Sequence, residues 1–84
     1  MGLYSSISIA QLVYMDTICE LFATKLKEIR LSKKLNKSKL SELAGLDISY
    51  IGKIERGEKL PNLRTIVKLA KALDVPVKDL FDFE

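Results

Sequence analysis

Residues 36–57 read Asn36-Lys37-Ser38-Lys39-Leu40-Ser41-Glu42-Leu43-Ala44-Gly45-Leu46-Asp47-Ile48-Ser49-Tyr50-Ile51-Gly52-Lys53-Ile54-Glu55-Arg56-Gly57, and this stretch decides the fold. Asn36 and Asp47 each precede a short helical pattern as N-cap residues, whose side-chain oxygen takes a backbone N–H left open at a helix start. Leu40, Leu43 and Ala44 supply the inner side of the first pattern, and Ile51 and Ile54 that of the second. Gly45 and Gly57 stop the two patterns as residues that accept positive φ without strain. Lys39 stands where a capping box would need Glu or Gln, so no capping box forms. Two short helices joined by a tight turn cannot bury themselves. Such a unit leans on a core with one side and presents a helix to a partner with the other.

Outward from this unit the helical spacing continues. Upstream, from Asp16, Ile18, Phe22, Leu26 and Ile29 recur every three or four residues, with Lys25, Lys27, Glu28 and Lys33 around the other face. This first helix is expected to end near Ser32–Lys34, where basic residues suit the negative end of the helix dipole. Downstream, Asn62 caps a fourth helix whose inner face is Leu63, Ile66, Leu69, Ala70 and Leu73. Asp74-Val75-Pro76 breaks it, and a final short helix from Val77 to Phe81 returns Leu80 and Phe81 to the core. The expected fold is all-α, a compact bundle of five short helices with a central helix-turn-helix, over residues 16–84. Residues 1–15 form an extension of open structure: alternation over Ser6–Ala10 favours a strand, while a continuation of the next helix, a dimerisation arm or a disordered leader fit equally. Met15 offers an alternative translation start.

Composition narrows the partners. Eighty-four residues make one small domain, and 48% apolar residues suffice for a core. The net charge of +3 conceals an asymmetry. Residues 25–71 carry thirteen basic against five acidic side chains, a local net charge of +8, while both ends are acidic. A basic middle points to a polyanion. On charge alone, a solvated lysine-rich surface explains it equally well. One cysteine, Cys19, and no histidine leave neither an intrachain disulfide nor a zinc finger. No histidine is present to activate Cys19 as a nucleophile. Asp74, Asp79, Asp82 and Glu84 lack calcium-loop spacing. No apolar run approaches the roughly 20 residues of a membrane span, and the first residues lack a signal peptide's basic start. The expectation is no enzyme, no cofactor, no metal and no membrane.

At this point particular residues match a family. They are Leu26-x-x-Ile29-Arg30, Leu35-Asn36, residues 40–46, residues 49–57, Pro61, residues 69–73 and Leu80-Phe81. Residues from about 22 to 81, about 60 of the 84, resemble the phage-repressor/Cro-type (XRE-like) helix-turn-helix DNA-binding family. In that geometry the second helix of the unit enters the major groove and the first crosses the phosphates. The resemblance implies that Ile48, Ser49, Gly52 and Lys53 face base edges. Their chemistry fits: Lys53 can donate to guanine, Ser49 can pair with more than one base, and Ile48 can meet a thymine methyl. Gly52 has no side chain to read with, costs roughly 1 kcal/mol inside a helix, and would return that by close backbone approach to the groove. Lys37, Tyr50, Arg56, Lys59, Asn62 with its neighbouring amides, and Arg64 are the expected phosphate contacts. Lys37 departs from the family, which usually has Gln there. Arg30 and Glu55 match a family ion pair that fixes the angle between helices; breaking one side of such a buried pair costs about 3–5 kcal/mol.

The resemblance implies a sequence-specific, double-stranded-DNA-binding transcriptional regulator of bacterial or phage type, cytoplasmic and nucleoid-associated. Its settings would be a restriction–modification controller, a phage or mobile-element repressor, or a small stand-alone regulator. With no effector domain after the fold, no small-molecule effector is expected. A single module makes few base contacts, so a homodimer on a near-palindromic operator is expected, its half-sites about 34–36 Å apart. Surplus apolar residues at both ends, Leu12, Val13 and Tyr14 with Phe81 and Phe83, are the candidate interface. The rival is a protein-interaction module, an antitoxin or adaptor built on the same fold. RNA binding lacks the interleaved aromatics that stack single-stranded bases.

Overall fold

Helix extends through most of the chain, and its punctuation comes from caps. The computed structural model describes the backbone of residues 9–83 and the side chains of residues 17–83. Within them the chain is all-helical: α1 (Ile9–Ser32), α2 (Lys37–Ala44), α3 (Ile48–Glu55), α4 (Leu63–Leu73) and a 3₁₀ turn (Val77–Phe81). No Gly or Pro interrupts residues 9–32, so α1 starts earlier than Asp16 and runs unbroken through residues 15 and 16. Ile9 and Ala10, the last two of the five residues of the expected strand, are helical. The rest of that strand expectation, at residues 6–8, lies outside the described residues, and so do the side chains of Leu12, Val13 and Tyr14.

Three helix starts follow one chemistry. The side chains of Asn36, Asp47 and Asn62 accept from Lys39 N at 2.7 Å, Ser49 N at 2.8 Å and Thr65 N at 2.9 Å. The ends also follow one geometry. A left-handed residue stands just past each α-helix: Lys34 (φ 60°), Gly45 (68°), Gly57 (76°) and Asp74 (58°). The next N–H turns back to the carbonyl five residues earlier, Leu35 to Arg30, Leu46 to Ser41, Glu58 to Lys53 and Val75 to Ala70, at 2.9–3.1 Å. At three of the four ends the reversal lays an apolar residue, Leu35, Leu46 or Val75, against the core.

That core is made of Phe22 and Leu26 from α1, Leu40 from α2, Ile51 and Ile54 from α3, Leu69 and Leu73 from α4, and Leu80, all fully buried. Each contributes about 1.5–3 kcal/mol by leaving water. α2 packs on both α3 and α4, and α1 packs on α3 and the 3₁₀ turn, so the turn unit is clamped from two sides. Three expected core residues stand outside it. Leu43 is exposed because Leu40 and Ala44 alone set the inner stripe of the eight-residue α2. Leu63, 68% exposed, lies nearly a quarter turn away from the stripe of Ile66, Leu69, Ala70 and Leu73. Phe81 is partly exposed, its ring set against Phe22 at 5.5 Å and Phe83 at 6.1 Å between centroids.

Candidate nucleic-acid interface

The orientation of α3 is set from below. Arg30, near the end of α1, donates from Nε to Glu55 Oε2 at 2.7 Å and from Nη2 to Glu55 Oε1 at 3.0 Å. Its remaining arm, Nη1, donates to the Leu35 carbonyl at 2.8 Å. The side chains are only 6% and 2% exposed. A planar fork in this geometry fixes both distance and angle. It joins the end of α1, the following turn and the last residue of α3. Among the described residues no buried side-chain polar atom is left without a partner, so the desolvation of this pair is compensated by bonding.

With Ile51, Ile54 and Glu55 turned inward, Ile48, Ser49 and Lys53 stand exposed on the outer face of α3. Tyr50 is half-buried, its ring packed against the core at the flank of the turn. Gly52 departs from the expected open position. It is buried, and a Cβ added to it would stand 3.0 Å from Arg56 Nη1. The missing side chain makes room for the guanidinium of the arginine one turn later, which lies over Gly52. Close approach of bare backbone to a groove is therefore not what this conformation displays.

Arg56 is held as well. Its Nε donates to Glu58 Oε2 at 2.7 Å and its Nη2 to Glu58 Oε1 at 3.4 Å, across the left-handed Gly57. This pair is solvent-exposed, 55% and 53%. Among the described residues no salt bridge engages the other expected cations: Lys37, the half-buried first residue of α2; Lys59, exposed in the loop before α4; and Arg64, exposed in the first turn of α4. Asn62 is exposed, but its Oδ1 is committed to capping α4. The amides of the first turn of α4 beside it keep the positive end of the helix dipole. The cations thus come from the start of α2, the α3–α4 loop and the start of α4. The core contacts of α2 with α3 and α4 hold these parts together.

Two acidic residues complete the face, and composition alone passed over them in this role. Asp47 Oδ1 accepts both the Ser49 N–H at 2.8 Å and the Ser49 hydroxyl at 2.7 Å. These hydrogen bonds, assisted by the field of Lys53, hold its carboxyl below the ordinary range. Hydrogen bonding from Arg56 lowers the Glu58 carboxyl likewise, and Glu58 raises the Arg56 guanidinium in return. The signals were present. An Asp-x-Ser sequence at an N-cap invites the first contact. An Arg-Gly-Glu sequence at a left-handed helix end brings the second pair together. Elsewhere, Cys19 is a free thiol, partly buried. Among the described residues no three His, Cys, Asp or Glu side chains converge as a metal site requires, and no helix is long and apolar enough to cross a membrane.

The fold that carries this arrangement has known counterparts. Residues 26–80 match the helix-turn-helix family. The chain belongs to that family. It is similar to the control protein C.BamHI of Bacillus amyloliquefaciens, 45% identical over 64 residues that cover 75% of this chain and 79% of that protein. Among solved structures it is similar to the restriction–modification controller protein C.AhdI of Aeromonas hydrophila, with a TM-score of 0.74 and 43% identity. That match covers 75% of this chain and 96% of the other. The controller protein C.Esp1396I, solved as a tetramer with its natural 35-base-pair operator, matches with a TM-score of 0.72 and 26% identity over 77% of this chain and 86% of its own. The helix-turn-helix domain here is thus of the XRE-like, controller-protein kind, in a family of transcriptional regulators.

Proposed function

We propose that the chain is a sequence-specific DNA-binding transcriptional regulator of the restriction–modification controller type, acting in the cytoplasm as a homodimer on a near-palindromic operator, and not an enzyme. The observation that carries this is the outer face of α3. Ile48, Ser49 and Lys53 are exposed on a helix whose angle is locked by the Arg30–Glu55 fork, and Lys37, Lys59 and Arg64 remain unengaged beside it. Lys53 supplies a donor for guanine, Ile48 an apolar contact for a thymine methyl, and the cations supply phosphate contacts. Tyr50 flanks the turn as a further phosphate contact through its hydroxyl. The amides beside Asn62 offer a helix N-terminus to another phosphate. Gly52 contributes by admitting Arg56, not by reading. The C.Esp1396I tetramer on its operator is a precedent for such a domain meeting DNA as an oligomer.

The test is the salt dependence of binding to a selected duplex. Four phosphates per subunit, met by Lys37, Arg56, Lys59 and Arg64, give a dimer a slope of log affinity against log salt near about −7. A slope near zero overturns the reading. Within it, Lys53→Ala relaxes the preference at one base position by roughly 1–3 kcal/mol, whereas Lys37→Ala weakens all sequences about equally. Identical behaviour of the two variants would remove the division between reader and clamp.

A further inference from the structure

Asp47 does more at the start of α3 than close a helix end, and the consequence concerns which bases this face accepts. Its Oδ1 receives two hydrogens, the backbone N–H and the hydroxyl of Ser49, at 2.8 and 2.7 Å. An ionised carboxylate has no proton to give, so the hydroxyl must be the donor in the second bond. A serine hydroxyl owns one hydrogen. With that hydrogen spent on Asp47, Ser49 Oγ presents lone pairs only. Asp47 Oδ2, absent from every hydrogen bond described for this carboxylate, is likewise acceptor-only. Both residues are exposed. The leading end of α3 is therefore a patch of hydrogen-bond acceptors, although serine by itself would suit any base.

In the major groove, donors come from two groups: the N6 amine of adenine and the N4 amine of cytosine. Guanine O6 and N7 and thymine O4 are acceptors, and they would face lone pairs and a negative charge. Lys53 stands four residues further on, about 6 Å along the helix axis, and offers hydrogens only. The outer face of α3 thus presents acceptors at its start and a donor one turn later. Resting on the reading of this face as a DNA interface, we infer that Asp47 and Ser49 together form an acceptor-only specificity element. It selects a base carrying an exocyclic amine, adenine or cytosine, at a position distinct from the one Lys53 reads. Asp47 acts there both by contact and by fixing the polarity of Ser49.

The experiment has two arms and uses the full chain. In the first, bound duplexes are selected from a random library by the wild type and by Asp47→Asn. Asparagine keeps an N-capping oxygen but turns the free oxygen into an N–H₂ donor, so folding is preserved while polarity changes. The expected result is adenine or cytosine at one half-site position for the wild type. In the variant the Asn side-chain oxygen still takes the Ser49 hydrogen, so the amine preference at that position weakens and guanine or thymine is admitted, with the Lys53 position unaltered. In the second arm, each adenine and cytosine of the wild-type half-site is replaced in turn by an analogue lacking its exocyclic amine. Loss at one position should weaken wild-type binding about tenfold and Ser49→Ala binding much less. Duplexes selected with a clear shared motif, but with the same motif for Asp47→Asn and no amine deletion worth twofold, overturn this inference alone. Failure of the wild type to select any motif overturns it together with the proposed function.

Discussion

Among the described residues two arginine–glutamate pairs have leading contacts of equal length and opposite roles. Arg30 Nε meets Glu55 Oε2, and Arg56 Nε meets Glu58 Oε2, each at 2.7 Å. Glu55 and Arg56 are neighbours in sequence, yet one side chain is buried and the other is exposed. The first pair is bidentate, shielded from water and supplemented by the Leu35 carbonyl. The second sits in solvent on a two-residue span. Distance therefore says little about what an ion pair does. Burial decides it, because a charge that cannot return to water has no alternative partner, whereas an exposed one exchanges partners at small cost. The buried pair is a strut for α3. The exposed pair leaves its guanidinium free to change partners, as the proposed phosphate contact requires.

Breaking the strut should have the largest effect. Glu55→Gln leaves a buried guanidinium without its counter-charge and should lower stability by about 3–5 kcal/mol. In a domain of this size that is a large share of the total, and thermal unfolding monitored by circular dichroism should fall by on the order of 15 °C or more. Replacing both partners with apolar residues, Arg30→Met with Glu55→Leu, should recover most of that loss, since no buried charge remains. Recovery stays incomplete because the Leu35 carbonyl also loses its donor, at about 1–3 kcal/mol. If the single variant melts like the wild type, the pair is not the strut described.

Gly52→Ala tests the freedom of the second pair. The new Cβ would meet Arg56 Nη1 at 3.0 Å, the far end of a flexible and exposed side chain. An open cleft of about 300 Å³ beside it, lined by Glu20, Ala23, Thr24, Glu55, Arg56 and Gly57, gives the guanidinium room to move. Alanine then gains helix propensity, and urea unfolding should show a stabilisation of up to about 1 kcal/mol. A loss of stability instead would mean that Arg56 is fixed over the helix, and the contrast between strut and exchangeable pair would weaken.

Sequence carried the fold further than it carried the face. Caps at Asn36, Asp47 and Asn62 are legible because a short acceptor side chain before an apolar period has one good use. Gly45 and Gly57 announce their own left-handed turns. Lys34 and Asp74 adopt the same conformation without announcing it, since nothing local favours it in lysine. The position is imposed by the need to fold Leu35 and Val75 back over the core. Leu43 and Leu63 fit the inner stripe by spacing because in a short helix several apolar residues satisfy one stripe, and only packing chooses its centre. On α3, periodicity suffices to place Ile48, Ser49 and Lys53 outward. It cannot show that Arg56 folds back over Gly52, or that Ser49 has spent its hydrogen on Asp47. Both depend on side-chain torsions that no residue spacing encodes.

The smallest effect on stability should come from Glu58→Gln, and it is the variant that separates the two pairs most cleanly. The pair is exposed, so the melting temperature should hardly move. DNA binding should change instead. Arg56 must release Glu58 before it can take a phosphate, and removing the competing carboxylate should raise affinity about two- to fivefold at fixed salt. The pH dependence has a definite sign. Hydrogen bonding to Arg56 holds the folded Glu58 carboxyl below its ordinary value of 4.5. Its contribution to stability is therefore fully present above that value and is lost as the pH falls through the lower folded one. The slight stability difference between wild type and variant should close over that acid range and nowhere else. An unchanged affinity with a lowered melting temperature would reverse the assignment, making the exposed pair a second strut and leaving Lys37, Lys59 and Arg64 as the phosphate contacts.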